Sequence, residues 1–247
     1  MRRGIKVVAL AVLLCAVVFA TACSANKTAP DAVTTTNTES NEVKPNQAVP
    51  IDITSDFTDP AFLAAVYEAV GKTAPEEIFS EDVAEIDTLY VFSKGIKSLA
   101  GLEHFSKLKS LYCGGNQLTS LPELPVSMCF LYCGRNQLTI LPDLPSDLFG
   151  FDCGNNQLTS LPDLPDSLRQ LHCGENLLTA LPELPAGLEF LTVNNNKLTS
   201  LPKLPAKLRH LVCSDNQLTD LDVTGLPLEV FDCSNNKIDE IIGYISD

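Results

Sequence analysis

Basic side chains and long apolar runs are both scarce in this sequence. The 247 residues contain 17 Lys and Arg against 31 Asp and Glu, which gives a formal net charge of −14. Nucleic acids and anionic lipid surfaces are bound through clusters of basic side chains, so this deficit argues against both as ligands. The apolar run from Val7 to Ala20 is shorter than the roughly 20 residues that a membrane-spanning helix requires.

A twenty-residue unit fills most of the chain. From Leu108 onward it recurs without a gap as Leu-x-x-Leu-x-Cys-x-x-Asn-x-Leu-Thr-x-Leu-Pro-x-Leu-Pro-x-x. Self-similarity at a fixed short period is typical of a solenoid, in which each unit buries its apolar side chains only against its neighbours. The asparagine of the unit marks seven positions, each twenty residues apart: Asn116, Asn136, Asn156, Asn176, Asn196, Asn216 and Asn236.

Each unit is predicted to form a short strand, a tight turn and an extended return segment. In the first unit Leu111 and Cys113 alternate with exposed positions as a strand requires, and Asn116 follows where the chain turns inward. A buried asparagine there can satisfy backbone groups that the turn leaves without partners. The segment Leu121–Pro125 carries two prolines, which fix φ and remove two donors, so it favours polyproline-like backbone and no helix on the outer side.

This unit resembles the repeat of the bacterial leucine-rich-repeat family, in particular the short Leu-Pro-x-Leu-Pro class also found in secreted effectors of enteric pathogens. The segment 86–107 looks like an internalin-type first repeat, in which Lys94 replaces the asparagine, and the 20-residue repeats run from 108 to 247. The resemblance implies an α/β-type repeat solenoid that is mostly β. We expect a curved leucine-rich-repeat solenoid with a parallel β-sheet on its concave face and a small helical N-terminal cap.

Residues 51–85 differ in composition from the repeats and are predicted to form that cap. Asp59-Pro60 opens a helical pattern that Gly71 closes, and a second short helix is expected near Ser80, with Ser80 as its cap. A cap is needed because the open edge of the first repeat would otherwise expose apolar side chains and unpaired strand groups.

The N-terminal region predicts export. Residues 1–22 combine basic side chains with a short apolar run, as a signal peptide does, and the small residues before Cys23 resemble the lipobox of bacterial lipoproteins. The resemblance implies acyl chains such as palmitate on Cys23 and a location at the cell surface, on the outer membrane of a Gram-negative host or the outer leaflet of a Gram-positive one. Plain secretion with cleavage near Ala22 is the alternative. Residues 23–50 are predicted to be a disordered tether with a reach of roughly 30 Å.

The nine cysteines do not have the spacing of a disulfide framework. Six of them share one repeat position with Val193, so that position favours a small apolar side chain and predicts buried free thiols. Strands about 4.8 Å apart suit neither a disulfide nor a tetrahedral zinc site. Cys129 lies outside this column and is predicted on the exposed side of the strand, either as a reactive or intermolecular thiol or as a partly buried side chain. The six are Cys113, Cys133, Cys153, Cys173, Cys213 and Cys233.

Side chains that alternate with the buried Leu and Cys must point to the concave face of the predicted sheet. The scaffold does not require aromatic residues there, and exposed Tyr and Phe are enriched at recognition surfaces, so we predict a binding patch centred on Tyr112, Phe130 and Tyr132. The alternative is that stacked tyrosines only stabilise the sheet, by about 0.2 to 1 kcal/mol for each contact. The predicted ligand-binding residues are Tyr90, Tyr112, Phe130, Tyr132, Phe149, Asp152, His172, Phe190 and His210.

The titratable residues of this face do not form a recognisable active site. Asp152 and His172 would be neighbours on adjacent strands, with Glu175 nearby and His210 two strands beyond, so they could hydrogen bond or hold a metal. The sequence supplies neither a nucleophile beside a base nor a Gly-rich phosphate loop, and the repeated glycines such as Gly114 are interpreted as turn residues. We therefore expect no catalysis, no cofactor and no bound metal.

Together these features predict a non-enzymatic, monomeric surface lipoprotein whose concave face recognises a protein partner, in adhesion or in contact with a host or neighbouring cell. Its membrane contact would run through the lipid on Cys23. The alternative is a glycan-binding or purely structural envelope lipoprotein, in which the aromatic rings stack on sugars or only pack against each other.

Overall fold

The computed structural model describes residues 50–243. The predicted signal peptide, the predicted lipidation site Cys23 and nearly all of the predicted tether lie outside these residues. Two helices, α1 (Pro60–Val70) and α2 (Ser80–Ala84), precede ten short strands. The strands are β1 (Thr88–Tyr90), β2 (Ser110–Tyr112), β3 (Phe130–Tyr132), β4 (Gly150–Asp152), β5 (Gln170–His172), β6 (Phe190–Thr192), β7 (His210–Val212), β8 (Leu221–Asp222), β9 (Val230–Asp232) and β10 (Ile241–Ile242).

Eight strands form one parallel sheet in the order β1-β2-β3-β4-β5-β6-β7-β9. Equivalent residues of neighbouring repeats lie opposite each other in the sheet. Leu111 lies opposite Leu131, and Tyr112 lies opposite Tyr132. β8 and β10 form a separate two-stranded parallel sheet. Within the described part of the chain, the segments that connect β2 to β10 contain no helix. The predicted mostly-β repeat solenoid with a small helical cap is therefore confirmed.

The cysteine column forms part of the buried side of the sheet. Cys113, Cys153 and Cys173 are free thiols with no exposed surface, and Val193 occupies the same position in its repeat. Burial raises the pKa of the Cys113 thiol to about 12, so the group stays protonated and acts as a small apolar side chain. Cys233 is only half-buried, because no described repeat follows to cover it. The prediction of buried free thiols is confirmed along the column.

Cys129 does not behave as an exposed thiol. Its side chain is only 3% exposed, although it stands where the neighbouring repeats carry Lys109 and Phe149. Backbone hydrogen bonds hold the three residues in adjacent repeats, with Cys129 donating to Lys109 and accepting from Phe149, both at 2.7 Å. The prediction of an exposed side chain at Cys129 is therefore wrong, and the alternative of a covered side chain agrees with the structure.

Each asparagine of the repeat joins its own turn to the repeat before it. Asn136 Nδ2 donates to the carbonyl of Cys133 at 3.0 Å and to the carbonyl of Cys113, one repeat earlier, at 3.1 Å. Its Oδ1 accepts from the backbone N–H of Leu118, also in the earlier repeat, at 3.0 Å. The predicted role of the asparagine in the turn is confirmed, and the same bonds also fix the spacing between repeats.

This arrangement explains why the first repeat does without an asparagine. Asn116 Oδ1 accepts from the backbone N–H groups of Lys94 and Ile96, at 2.9 and 3.1 Å, so the turn of the first repeat is satisfied from the second. No repeat precedes Lys94 for its side chain to join. Lys94 Nζ instead lies 2.5 Å from the carboxylate of Glu68 on α1.

Both predicted ends of α1 are confirmed. Asp59 caps the helix by accepting from the backbone N–H of Ala61 at 2.8 Å, and Gly71 ends it with a left-handed φ of 70°. The second carboxylate oxygen of Asp59 accepts from the N–H groups of Lys97 and Ser98, at 2.7 and 3.1 Å. One side chain therefore caps the helix and attaches the cap to the first repeat.

The prediction for α2 is wrong in one respect. Its N-cap residue is Phe79, and Ser80 is the first residue of the helix. The carboxylate of Asp82 accepts from the backbone N–H of Phe79 at 2.7 Å, so an acidic side chain in the first turn holds the start of the helix, and no side chain of the N-cap residue does. No helix in the described part of the chain has the length and apolar character needed to cross a membrane.

Candidate binding site on the concave face

The strand register places the predicted surface residues on one side of the sheet, here called the concave face. Their positions are confirmed, whereas their role in binding stays a prediction. The first column is Tyr90, Tyr112, Tyr132, Asp152, His172, Thr192, Val212 and Asp232. The second column is Thr88, Ser110, Phe130, Gly150, Gln170, Phe190, His210 and Val230.

Five aromatic rings form a continuous group at the N-terminal end of this face, here called the aromatic cluster. Tyr90 stacks on Tyr112 with ring centroids 4.6 Å apart, and Tyr112 stacks on Tyr132 at 4.7 Å. Phe130 lies 6.4 Å from Tyr132 and 5.8 Å from Phe149. The centroid spacing of the tyrosines matches the distance between neighbouring strands, so the sheet itself holds the rings in register.

The stacking decides which parts of the tyrosine rings are accessible. Tyr112 has a parallel ring on each side, at interplanar angles of 17° to Tyr90 and 6° to Tyr132, so both of its ring faces are covered. Burial, and secondarily the neighbouring Tyr90, raises the pKa of the Tyr112 hydroxyl, which stays protonated and able to donate. Tyr90, at the end of the stack, is 68% exposed. The stack thus presents ring edges and hydroxyl groups more than ring faces.

Sequence reasoning did not single out two residues close to the cluster, one that follows Tyr90 in sequence and one that lies beside Phe130. Phe92 continues the alternation after Tyr90 and is 56% exposed, and its ring would lie 3.1 Å from a side chain placed at Gly114. Gly150 leaves room for Phe130, whose ring would lie 2.8 Å from a Cβ at that position. Phe92 lies two residues after Tyr90, so the alternation of side chains could have placed it on the same face. The role of Gly150 follows only from its place opposite Phe130.

The repeated glycines lie at the start of the turns, where neighbouring turns approach closely. A Cβ at Gly114 would lie 3.0 Å from the backbone oxygen of Gly134 in the next repeat. The left-handed conformation falls one residue later and is adopted by side-chain-bearing residues, with φ of 58° at Arg135, 53° at Asn155 and 55° at Glu175. Asn194 occupies the glycine position in a later repeat, so the turn does not depend on glycine there.

Asp152 and His172 are neighbours in the centre of the concave face, as predicted. Burial raises the pKa of Asp152, against the opposing effects of a 2.9 Å hydrogen bond from the Gly154 N–H and of His172. Burial lowers the pKa of His172, and the charge of Asp152 opposes that shift. Among the described residues no hydrogen bond joins the two side chains, and no group of three or more potential metal ligands converges.

A second, smaller aromatic contact joins β6 and β7. Phe190 and His210 have ring centroids 4.4 Å apart, and His210 Nε2 lies 3.6 Å from the carboxylate of Glu229. The predicted binding residues therefore form two separate groups, and the structure does not join Phe190 and His210 to the aromatic cluster. Gly150, Gln170, Asp152 and His172 lie between them.

Gln170 is the third residue that sequence reasoning did not single out. It faces the concave side and is only 5% exposed. No described residue exchanges a hydrogen bond with its side chain, yet every fully buried side-chain nitrogen and oxygen of the described chain has a partner. The amide end of Gln170 must therefore reach the surface of the concave face, with its hydrogen-bonding capacity unused. Nothing in the periodicity of the repeat marks this position.

The parallel sheet, the buried leucine and cysteine columns and the asparagine at each turn define a leucine-rich-repeat solenoid. No family model and no curated protein matches the chain. Among solved structures, it is similar to YopM from Yersinia enterocolitica WA-314, with 37% identity and a TM-score of 0.55 over 56% of this chain and 31% of that one. It is also similar to the functional domain of InlJ from Listeria monocytogenes, which includes a cysteine ladder, with 27% identity and a TM-score of 0.63 over 77% and 48% of the two chains.

A Shigella effector leucine-rich-repeat domain is similar as well, with 29% identity and a TM-score of 0.53 over 68% of this chain and 86% of that one. The chain spans less than half of the length of the Yersinia and Listeria proteins. The chain thus has a leucine-rich-repeat fold similar to that of these bacterial effectors and internalins.

Proposed function

We propose that the protein is a non-enzymatic, monomeric binding protein whose concave face recognises a protein partner. The aromatic cluster carries this proposal. Other repeats place Thr192 or Val212 in the same column as the tyrosines while they build the same buried side, so the scaffold does not need aromatic rings there. Partly exposed aromatic side chains in one contiguous group are typical of protein recognition surfaces.

The stacking geometry favours a protein over a glycan as the partner. A sugar ring packs against the face of an aromatic side chain, but both faces of Tyr112 are already covered by tyrosines. Ring edges and hydroxyl groups suit the mixed polar and apolar surface of a protein. The cluster also continues onto Phe130 and Phe149, whose rings are tilted at 58° and offer an uneven apolar surface.

The test removes two rings of the stack. Tyr112→Ala with Tyr132→Ala should strongly reduce the capture of partner proteins from host-surface and envelope extracts, while the melting temperature falls only slightly. Ile140→Ala is the control, because Ile140 is an exposed apolar side chain outside the concave face. A clear loss of stability with unchanged capture would show that the tyrosines are only structural.

We further propose that acyl chains on Cys23 anchor the protein at the cell surface. The support is the signal-like segment 1–22 and the small residues before Cys23. With multiple acyl chains, burial at roughly 0.8 kcal/mol for each CH₂ would hold the protein firmly on a membrane. Labelled fatty acid should appear in the wild type and in the control Ser24→Ala, and should be lost in Cys23→Ser. Equal labelling of Cys23→Ser and wild type would refute the anchor.

A further inference from the structure

An unused amide lies between the two aromatic groups of the concave face. Gln170 is only 5% exposed, its amide end reaches the surface, and no described residue bonds to that amide. One side of it is the Phe130 ring, which leans over Gly150, and the other side is Phe190. A ligand that covers this position must replace the hydrogen bonds of the amide to water, so a ligand with a matching donor and acceptor is favoured over one without them.

We propose that Gln170 binds the backbone of an extended peptide segment of the partner protein, which lies across the strands along the solenoid. The amide of glutamine has a donor and an acceptor side by side, which matches the C=O and N–H of an extended peptide chain. This inference rests on the proposed function, because it specifies which part of a protein partner the concave face binds.

The spacing of the flanking rings sets the pattern of the peptide. Phe130 and Phe190 are three strands apart in one column, about 14 Å at 4.8 Å for each strand. An extended chain advances about 13 Å in four residues, and residues four apart point to the same side. We therefore expect apolar side chains at two positions four residues apart, with the peptide unit between them over Gln170.

The charge of the face indicates the charge of the segment. Asp152 lies on the strand next to Gln170, and the exposed Glu175 and Asp215 lie in the turns at the C-terminal edge of the same sheet. The whole chain has a formal net charge of −14. A segment with net positive charge is attracted by this field, and its association should weaken as salt is added.

The probe is a displayed library of linear random 16-residue peptides, selected on the full mature protein. The enriched sequences should share two apolar residues four positions apart and an excess of Lys and Arg. A parallel glycan array tests the competing ligand class. The absence of any linear consensus, or binding to glycans alone, would overturn the proposal.

Two variants then test the residue itself. Gln170→Met keeps the size of the side chain but removes both hydrogen bonds, so a selected peptide should bind about tenfold more weakly, while the melting temperature stays equal or rises. Gln137→Met is the matched control, because Gln137 is exposed and lies outside the concave face. Unchanged affinity for Gln170→Met would refute the role of Gln170.

A second measurement tests whether Gln170 contacts the peptide backbone directly or only affects the shape of the binding surface. N-methylation of the central peptide unit should weaken binding to the wild type, but Gln170→Met should bind the methylated and unmethylated peptides with similar affinity. Equal losses in both proteins would contradict a direct contact. If the double tyrosine variant loses protein capture while no linear peptide is enriched, the proposed function stands and this inference fails. If the double tyrosine variant captures protein as the wild type does while peptide binding still depends on Gln170, the proposed function of the aromatic cluster fails instead.

Discussion

On the buried side of the eight-stranded sheet, Leu111, Leu131 and Leu171 lie in one line and each has no exposed surface. On the concave side of the same strands, the residue changes from tyrosine in β2 and β3 to aspartate in β4 and histidine in β5. The buried side satisfies every fully buried side-chain polar atom, whereas the concave side leaves the amide of Gln170 unused. The buried side of the sheet therefore carries the stability of the fold, and the other side is the one for which we propose recognition.

Removing an asparagine from the buried side should have the largest effect on stability. Asn136→Ala would leave the N–H of Leu118 without its partner and remove one of the two amide donors from each of the carbonyls of Cys113 and Cys133, so we expect a loss of about 3 kcal/mol in the free energy of unfolding. Urea denaturation measures this. Gln137→Ala, at the next, exposed position, should change stability by less than about 0.5 kcal/mol. A similar cost for both variants would contradict the role given to the asparagine.

The cysteine column should accept an apolar side chain and reject a polar one. Cys153→Val should cost less than about 1.5 kcal/mol, because Val193 already occupies the equivalent position. Cys153→Ser should cost about 1 to 3 kcal/mol, since its hydroxyl would be buried in an apolar column. Thermal unfolding of both variants checks the order. If serine were tolerated better than valine, the cysteines would have a role beyond packing.

The concave side should give the smallest effect, and one that depends on pH. Burial holds the pKa of His172 below its ordinary value of 6.5, so the folded protein resists protonation and loses stability as the pH falls below about 7. Asp152 acts in the opposite sense at lower pH, because its raised pKa contributes stability that is lost as the pH rises above about 4.

His172→Gln should reduce the stability that the protein loses between pH 7.5 and pH 5.0. Urea denaturation at the two pH values measures the difference. Thr192→Ala, in the same column, retains His172 and should keep the wild-type dependence. A pH dependence of His172→Gln equal to that of the wild type would show that other groups cause it.

The cap and the concave face differ in how well the sequence predicted them. Asp59 and Gly71 mark α1 correctly because helix ends are specified by local backbone geometry. The N-cap of α2 was misplaced by one residue because serine is a common N-cap residue, whereas this helix start is held by a bond from the Phe79 N–H to Asp82 in the first turn. The burial of Cys129 was missed because the repeat does not mark it, since the equivalent positions carry Lys109 and Phe149.

The sequence by itself determined the solenoid, the strand register and the columns of the concave face, because a fixed twenty-residue period leaves each residue only one set of neighbours. It could not determine which side chains of those columns meet. The stacking of three tyrosines, the lean of Phe130 over Gly150 and the unused amide of Gln170 depend on side-chain rotamers and on the depth of burial between repeats. These are properties of packing across neighbouring strands, so only the tertiary structure decided them.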